Sequence, residues 1–293
     1  PHIDPLRIIF TPNFSARIEY AQALALGVNV TVDNLYPLEY WPEVFKDKEI
    51  IARVDPGQGY GHHKYVCTAG SISKFGISMS QFEHFKILAQ NYNVKIVGLH
   101  AHIGSGILKP EIWKNTALFL QQLSSQLPDV RYINIGGGLG IPETSEQHPL
   151  DLNTFNQALL EVKAHTPHLE LWLEPGRFLV AQAGIILAKV TQIKTKDQIC
   201  FIGIDVGMNS LIRPALYGAC HFVANLSRID APYTQKANIV GPICESGDTL
   251  AYAIPMPETF ENDVILIDTV GAYGYVMSSN YNMRPPAKEY YLN

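Results

Sequence analysis

A cysteine and a glutamate stand side by side at positions 244 and 245, in the stretch ICESGD that covers residues 243–248. This stretch is polar and contains a glycine, so it is an unusual place for a cysteine that only fills a hydrophobic core. The chain has four cysteines, and none of them belongs to a CxxC pair. A thiol beside a carboxylate in such a turn indicates a chemical role for Cys244 and Glu245. The alternative for Cys244 is a small buried hydrophobic residue.

Further polar residues follow directly after apolar runs that have the character of β-strands. His100 and His102 end one run, three glycines at 136–138 end another, and the sequence EPGR at 174–177 ends a third. In parallel α/β folds the chemistry lies at the carboxyl ends of the strands. Consecutive glycines allow several backbone N–H groups to approach one anion such as phosphate, and Ser105 could add a hydroxyl to the same anion.

These residues also have plainly structural interpretations. The glycines could form a tight strand-exit turn, His102 could be a buried structural histidine, and Glu174 with Arg177 could be a surface ion pair. Arg213 and Tyr217 lie in a loop-like stretch with Asn and Pro that is suited to binding a carboxylate.

Six strand–helix units are predicted in the first two-thirds of the chain, and they must position these residues. Repeated units with apolar strands predict a parallel sheet with helices outside, either an open doubly wound sheet or a barrel. The predicted strands are 7–13, 28–33, 50–56, 94–104, 131–138 and 169–177, and the predicted helices are 15–27, 36–45, 78–92, 111–127 and 152–166.

The pattern changes after residue 184, where strand-like runs follow one another without long helical stretches. This predicts an antiparallel β domain, and hence an α/β domain at 1–183 and a β-rich domain at 184–293. The predicted strands are 184–195, 198–205, 221–229, 236–243 and 263–270.

Composition excludes several classes of protein. Of the 293 residues, 47% are hydrophobic and the net charge is −5, with basic residues scattered along the chain, so no nucleic-acid surface is indicated. No apolar run approaches the roughly 20 residues that a membrane span needs, and the start has no signal-peptide pattern. Because the cysteines are widely spaced, we expect a cytoplasmic protein with reduced thiols.

Taken together, the motifs are far more specific than any one of them alone. In chain order they are HIGSG, NIGGG, EPGR, IDVGMNSLIRPALYGA, GPICESGDTLA and GAYGYVMSSNYN. This series resembles the fold-type III decarboxylases that use pyridoxal 5'-phosphate (PLP), and the resemblance covers essentially the whole chain. It implies a PLP-binding (β/α)8 barrel, here units three to eight, followed by a β-rich domain and assembled as a head-to-tail homodimer.

The resemblance also implies roles for individual residues at the cofactor. His102 would stack on the pyridoxal ring, and Glu174 would pair with the ring nitrogen and keep it protonated, so that the ring can accept carbanion charge. The phosphate would be bound by Ser105, Gly136, Gly137, Gly138, Gly176 and Tyr273.

Other residues would act on the substrate. Arg177, Arg213 and Tyr217 would hold the distal carboxylate, with Arg177 and Tyr273 close to both cofactor and substrate. Cys244 would reach the partner subunit's site and donate the proton that replaces CO2, which suits a thiol because its ordinary pKa of about 8.5 leaves it protonated at neutral pH. Glu245 would bind the distal ammonium.

The implied reaction is the decarboxylation of meso-2,6-diaminopimelate to L-lysine and CO2, because Glu245, Arg213 and Tyr217 suit a substrate with an amino acid at both ends. A substrate whose distal end carries only an amine needs no second group of residues that binds a carboxylate. In addition, ornithine decarboxylases usually have an aspartate after the cysteine. The alternatives are a decarboxylase for ornithine or carboxynorspermidine, or a non-catalytic member of the family.

One element of the family pattern is missing. The family places the lysine that forms a Schiff base with PLP on the first barrel strand, whereas residues 7–13 resemble the third. None of Lys64, Lys74, Lys95 and Lys189 replaces it convincingly. We therefore expect the chain to be a portion of a longer polypeptide, which could be a fusion with an enzyme such as aspartate kinase, and to be inactive alone. The alternative is a relative that lacks catalysis and serves as a binding partner.

Overall fold

The computed structural model describes residues 3–57, 59–61, 69–70 and 73–292. The chain forms two compact units. Unit 1 comprises residues 1–140 and 149–175, and unit 2 comprises residues 141–148 and 176–293. The short segment 141–148 was predicted within the α/β domain, yet it packs with unit 2.

Unit 1 is built on a parallel sheet whose strands are adjacent in chain order. A doubly wound sheet would reverse its strand order at a switch point, so this order is that of a barrel, of which the described residues form six principal strands. These strands are β1 (Ile9–Phe10), β2 (Asn29–Val32), β3 (Glu49–Asp55), β6 (Lys95–His100), β8 (Tyr132–Asn134) and β9 (Glu170–Trp172), and the shorter ones are β4 (Tyr60–Gly61), β5 (Ile77–Ser78) and β7 (Gly104–Ser105).

The central strands of unit 1 are buried because helices cover the sheet. In β3, residues 50–54 are all buried, as expected of a parallel strand that is covered on both faces. The connecting helices are α1 (Arg17–Leu26), α2 (Tyr36–Tyr40), α3 (Pro42–Phe45), α4 (Met79–Asn91), α5 (Glu111–Ser124) and α6 (Leu152–His165).

Two departures from the predicted elements have local causes. The helix expected at 36–45 is divided at Trp41, because Pro42 disfavours helical backbone in the residue before it. The first strand shrinks to two residues, since Pro12 has no N–H with which to continue a ladder. By contrast, α1 ends as expected at Gly27, whose φ of +76° closes the helix.

Unit 2 is a six-stranded sheet with the order β12-β15-β10-β11-β13-β14. It is antiparallel except for β11 and β13, which pair in parallel, so the purely antiparallel prediction was wrong at this point. The strands are β10 (Ile186–Lys196), β11 (Ile199–Ile204), β12 (Val223–Asn225), β13 (Gln235–Val240), β14 (Thr249–Met256) and β15 (Val264–Ile267), and the helices are α7 (Arg177–Val180) and α8 (Arg213–Tyr217).

The sequence did not predict β14. Pro255 lies within it, and proline is tolerated there because β14 is an edge strand whose outer side needs no ladder hydrogen bond. The core of unit 2 forms where this sheet buries aliphatic side chains, Ile202, Ile239, Ile265 and Ile267 among them. No helix in the described part of the chain is long and apolar enough to cross a membrane.

Gly271 lies where backbone segments of unit 2 approach each other closely. Its N–H donates to Ala181 O at 2.9 Å, and a Cβ at this position would lie 2.8 Å from Gly184 N and still closer to Val180 O. Because all of these neighbours are backbone atoms, they cannot give way as a flexible side chain could.

We therefore expect Gly271→Ala to destabilise unit 2 by about 2–3 kcal/mol, measured by urea denaturation. Gly247→Ala is the matched control, because a Cβ there would have its nearest neighbour at 3.9 Å. Equal midpoints for the two variants would show that the close approach at Gly271 is not essential.

Candidate active site

The carboxylate of Glu174 lies where the strands of unit 1 end. Its Oε1 accepts hydrogen bonds from Thr11 Oγ1 at 3.0 Å and from Asn134 Nδ2 at 2.8 Å. Its Oε2 lies 3.5 Å from Nε2 of His100, a side chain that is completely buried. Three residues that belong to or follow different strands therefore meet at the carboxylate of Glu174.

Glu174 is held in its charged form. Burial would raise its pKa, but the interaction with His100 and the hydrogen bonds from Thr11 and Asn134 outweigh burial and lower the pKa to about 2. The pKa of His100 is lowered because its complete burial disfavours the imidazolium, and the nearby Arg53 adds to this effect. At neutral pH the arrangement is thus a carboxylate with two neutral donors, Thr11 and Asn134, and the neutral imidazole of His100 beside it.

The three-glycine turn is fixed by side chains around it. The N–H of Gly136 donates to Asn134 Oδ1 at 2.9 Å, and the N–H of Gly137 donates to His102 Nδ1 at 3.1 Å. Trp113 Nε1 donates to Gly137 O at 3.0 Å. Two of the glycine amides that were predicted to bind an anion therefore have protein acceptors.

Glycine is required here by close packing as well. Gly136 has a φ of +69°, and a Cβ on it would lie 2.7 Å from Ala101 O and 2.8 Å from Nδ1 of His102. Gly138 has a φ of +90°, which side chains rarely adopt. The turn thus allows the strand ends to approach each other, which the sequence could not distinguish from anion binding.

Burial lowers the pKa of His102 to about 4, and the neighbouring His100 and Arg53 add to this effect. Because Nδ1 accepts the hydrogen bond from Gly137, the single proton of the neutral ring is on Nε2. Arg53 and Asp33 are also buried in unit 1. The sequence analysis missed both, since each lies within or directly after an apolar strand.

Unit 2 contains a second cluster, in which two buried arginines share one glutamate. Glu143 Oε1 accepts from Arg177 Nη1 at 3.1 Å and from Arg213 Nη2 at 2.7 Å. Arg177 and Arg213 are only 8% and 2% exposed, and their Nε atoms have no hydrogen-bond partner among the described residues. The Tyr273 ring lies 5.5 Å from the guanidinium carbon of Arg177.

His221 completes this cluster. Its Nε2 lies 3.1 Å from Arg213 Nη1, and its Nδ1 lies 3.0 Å from the backbone oxygen of Asp268. Because Asp268 O can only accept, Nδ1 carries the proton and Nε2 accepts from Arg213. Burial lowers the pKa of His221, so the neutral ring fits this role. Sequence analysis missed Glu143 and His221, although each lies close to a quoted motif.

The ICESGD turn is exposed at its tip and anchored at its ends. The Cys244 N–H donates to Asn282 Oδ1 at 2.6 Å, and Tyr281 Oη donates to Glu245 Oε2 at 2.9 Å. The buried Asp248 accepts from the N–H groups of Ile243 at 2.7 Å and of Met208 at 2.5 Å. Cys244 is exposed rather than a core residue, which removes the structural alternative for it.

The predicted site residues are thus divided between the units. Arg213 and Tyr217 lie on the short helix α8 rather than in a loop. Among the lysines considered, Lys95 begins β6, Lys189 lies in β10, and Lys74 lies near the Phe75 ring, while Lys64 is outside the described residues. Unit 1 contains His102, Ser105, Gly136, Gly137, Gly138 and Glu174, and unit 2 contains Gly176, Arg177, Arg213, Tyr217, Cys244, Glu245 and Tyr273.

Comparison with known proteins identifies the class first. Residues 2–181 match the family model described as the pyridoxal binding domain of pyridoxal-dependent decarboxylases. This segment includes all of the strand ends around Glu174.

Similarity to individual proteins then identifies the particular decarboxylase family. The chain is 37% identical to the diaminopimelate decarboxylase of Methanothermobacter thermautotrophicus, with 98% of this chain and 69% of the relative aligned. It is 31% identical to that of Escherichia coli K12, over 97% of this chain and 72% of the relative. The structure of the Helicobacter pylori diaminopimelate decarboxylase complexed with L-lysine matches with a TM-score of 0.86 and 29% identity, over 97% of this chain and 73% of that one. The chain therefore belongs to the diaminopimelate decarboxylase family.

The low pKa of His102 makes stability depend on pH. A histidine with a folded pKa of about 4 binds its proton first in the unfolded chain, where the ordinary value is 6.5. The contribution of neutral His102 to the free energy of unfolding is present above pH 6.5 and is lost progressively as pH falls toward 4.

We expect His102→Gln to remove this dependence, so that the wild type loses about 3 kcal/mol more free energy of unfolding than the variant between pH 7 and pH 4. Denaturant unfolding at a series of pH values measures the difference. Parallel pH profiles for the two proteins would show that His102 is not held neutral by the fold.

Proposed function

We propose that this chain serves the PLP-dependent decarboxylation of meso-2,6-diaminopimelate to L-lysine and CO2, and that it carries the residues of the site apart from the Schiff-base lysine. The observation that carries this proposal is the pair of buried arginines, Arg177 and Arg213, each with an Nε donor that has no partner among the described residues. Buried donors without acceptors are costly, and a carboxylate on the substrate's distal end would supply the acceptor. A substrate with an amine-only tail offers no such group.

The residues of unit 1 fit the cofactor. A carboxylate with a pKa of about 2 at the strand ends suits a protonated ring nitrogen, so Glu174 would hold the proton at that atom. The neutral His102 would lie against the ring face, where a charged imidazolium would oppose the cation. When bound, PLP supplies the electron sink that makes loss of CO2 possible.

For the phosphate, Ser105 offers a hydroxyl and Gly138 offers a backbone amide after β8. Gly176 and Tyr273 are further proposed phosphate-binding residues. The amides of Gly136 and Gly137 support this site indirectly, because they hold Asn134 and His102 in place.

We further propose that the protein acts as a homodimer in which Cys244 serves the partner subunit's site. The exposed position of Cys244 and Glu245 on a turn with anchored ends supports this assignment, since a donor for another subunit must project from its own. The Cys244 thiol would donate the proton that replaces CO2, and Glu245 would bind the substrate's distal ammonium.

The free thiols of Cys200, Cys220 and Cys244 support a cytoplasmic location.

The substrate assignment is tested by CO2 release from the PLP-loaded full-length protein. We expect meso-diaminopimelate to be strongly preferred over L-ornithine and carboxynorspermidine. Arg213→Lys should lower kcat/KM for meso-diaminopimelate about 100-fold, because lysine cannot replace a guanidinium that bonds in several directions. Arg228→Lys, which alters an arginine paired with Asp263, is the control. Preference for L-ornithine would refute the substrate assignment.

Shared sites are tested by mixing two inactive variants. Cys244→Ala and Glu174→Ala should each abolish most activity alone. After the subunits are mixed and exchanged, half of the dimers are heterodimers with one complete site, so activity should recover to roughly a quarter of the wild-type value. Mixtures that remain inactive, with heterodimers verified by mass spectrometry, would place Cys244 in the site of its own subunit.

A further inference from the structure

Asp248 is a buried carboxylate that binds two segments of unit 2 at once. Its side chain accepts from the N–H of Met208 at 2.5 Å through Oδ1 and from the N–H of Ile243 at 2.7 Å through Oδ2, and the residue is only 3% exposed. Hydrogen bonds from backbone N–H groups to a charged carboxylate are stronger than those between neutral groups. One side chain therefore fixes the backbone at two places that are far apart in the chain.

The first of these segments is the turn at 207–211, which leads into α8. Gly207 O accepts from the N–H groups of Ser210 at 2.9 Å and of Leu211 at 3.2 Å, and Leu211 is completely buried. The helix α8 then begins with Arg213. Because α8 starts so soon after this turn, a displacement of the turn also displaces the residue that begins the helix.

The second segment is the ICESGD turn, which carries Cys244 and Glu245. The Asp248 N–H donates to Glu245 O at 3.0 Å, and Asp248 O accepts from the N–H of Gly241 at 3.0 Å. The backbone of Asp248 thus closes this turn, while its side chain fixes the start of the turn at Ile243. Cys244 follows Ile243 directly, so its position depends on this anchor.

The carboxylate of Asp248 also has close neighbours on two sides. A Cβ on Gly207 would lie 2.8 Å from its Oδ2, and a Cβ on Gly241 would lie 2.6 Å from its Oδ1 and still closer to Oδ2. Interiors packed this closely transmit displacements rather than absorb them. The carboxylate therefore cannot shift without moving the segments that it binds.

We propose that Asp248 is a positioning residue for both active sites of the dimer. Through the turn at 207–211 it places Arg213, and through the ICESGD turn it places the thiol and the carboxylate at the tip. The inference rests on the proposed function, in which Arg213 belongs to the site of its own subunit and Cys244 and Glu245 serve the site of the partner subunit. A single buried carboxylate then sets the geometry of two sites while acting only through other residues.

Asp248→Asn tests this role with little change in size. The asparagine oxygen can accept from one of the two N–H groups, but its NH2 group would face the other, which is also a donor. The variant therefore releases one of the two segments or displaces both.

The two effects are separated by mixing PLP-loaded full-length subunits, as in the test for shared sites. In heterodimers with Glu174→Ala, the one complete site takes Arg213 from the Asp248→Asn subunit and Cys244 from the other. In heterodimers with Cys244→Ala, the one complete site takes Cys244 and Glu245 from the Asp248→Asn subunit and Arg213 from the other.

We expect KM for meso-diaminopimelate to rise about 5- to 10-fold in both mixtures, after subtraction of the activity of the Asp248→Asn homodimer. The reason is that Arg213 in the first mixture and Glu245 in the second bind the substrate. In the second mixture kcat should fall as well, since Cys244 donates the proton. A partial loss of folded protein would lower the amount of active enzyme but would leave KM unchanged.

Binding of L-lysine gives a second readout that does not depend on turnover. We expect the Asp248→Asn homodimer to bind L-lysine about 5- to 10-fold more weakly than the wild type, measured by isothermal titration calorimetry. Asp230→Asn is the matched control, because it makes the same change at an exposed position of unit 2. It should keep the wild-type dissociation constant, and the wild-type KM in both mixtures.

A wild-type KM in either mixture would overturn the inference, because Asp248 would then act on one site or on none. If Asp248→Asn does not fold, Gly207→Ala serves in the same mixtures, since its Cβ would press against the Asp248 carboxylate and against Ile243. A smaller rise of KM in both mixtures is then expected, and a rise in only one of them would again contradict the coupling.

The mixture of Cys244→Ala with Glu174→Ala distinguishes failure of the inference from failure of the proposed function. If this mixture stays inactive although heterodimers have formed, the subunits do not share their sites, and both the proposed function and the inference fail. If it recovers roughly a quarter of the wild-type activity and the Asp248→Asn mixtures do so with a wild-type KM, the proposed function stands and Asp248 has no positioning role.

Discussion

The carboxylate of Glu174 depends on the convergence of parallel strands, and much of unit 1 is arranged to permit it. Strands that run in one direction bring their carboxyl ends to one edge, so Thr11, His100 and Asn134 reach the same group although they are far apart in the chain. A partly buried carboxylate such as Glu174 keeps its charge when donors compensate for the lost hydration. The glycine turn at 136–138 makes the required closeness possible, because side chains there would collide with backbone.

Unit 2 also contains buried charged groups, but here they are the positively charged guanidinium groups of Arg177 and Arg213. Two guanidinium groups are buried side by side, which is costly unless a counter-charge is present. Glu143 supplies one negative charge from a segment remote in sequence, and the neutral His221 supplies an acceptor without adding another. The Nε donors of both arginines have no partner among the described residues, which supports the proposal that a substrate carboxylate binds here.

The Cys244 turn shows how an exposed group can still be positioned. Asp248 bonds to the backbone at both Ile243 and Met208, so it ties the turn to the segment that leads into α8 and Arg213. The thiol therefore projects from a fixed base. The glycines at 207 and 241 leave room for the Asp248 carboxylate, because a Cβ at either would collide with it.

The sequence by itself determined the repeated strand–helix units, the change to a β-rich domain, and the motifs that carry Glu174, Arg213 and Cys244. These features can be predicted because apolar periodicity and short motifs depend only on residues that are close together in the sequence. Tertiary structure alone decided which distant groups meet. Glu143 on the two arginines, His221 behind Arg213 and Thr11 at Glu174 are contacts between segments far apart in the chain, and no local pattern encodes them. The same reason explains β14, where the edge position of the strand permits a proline that local propensity opposes.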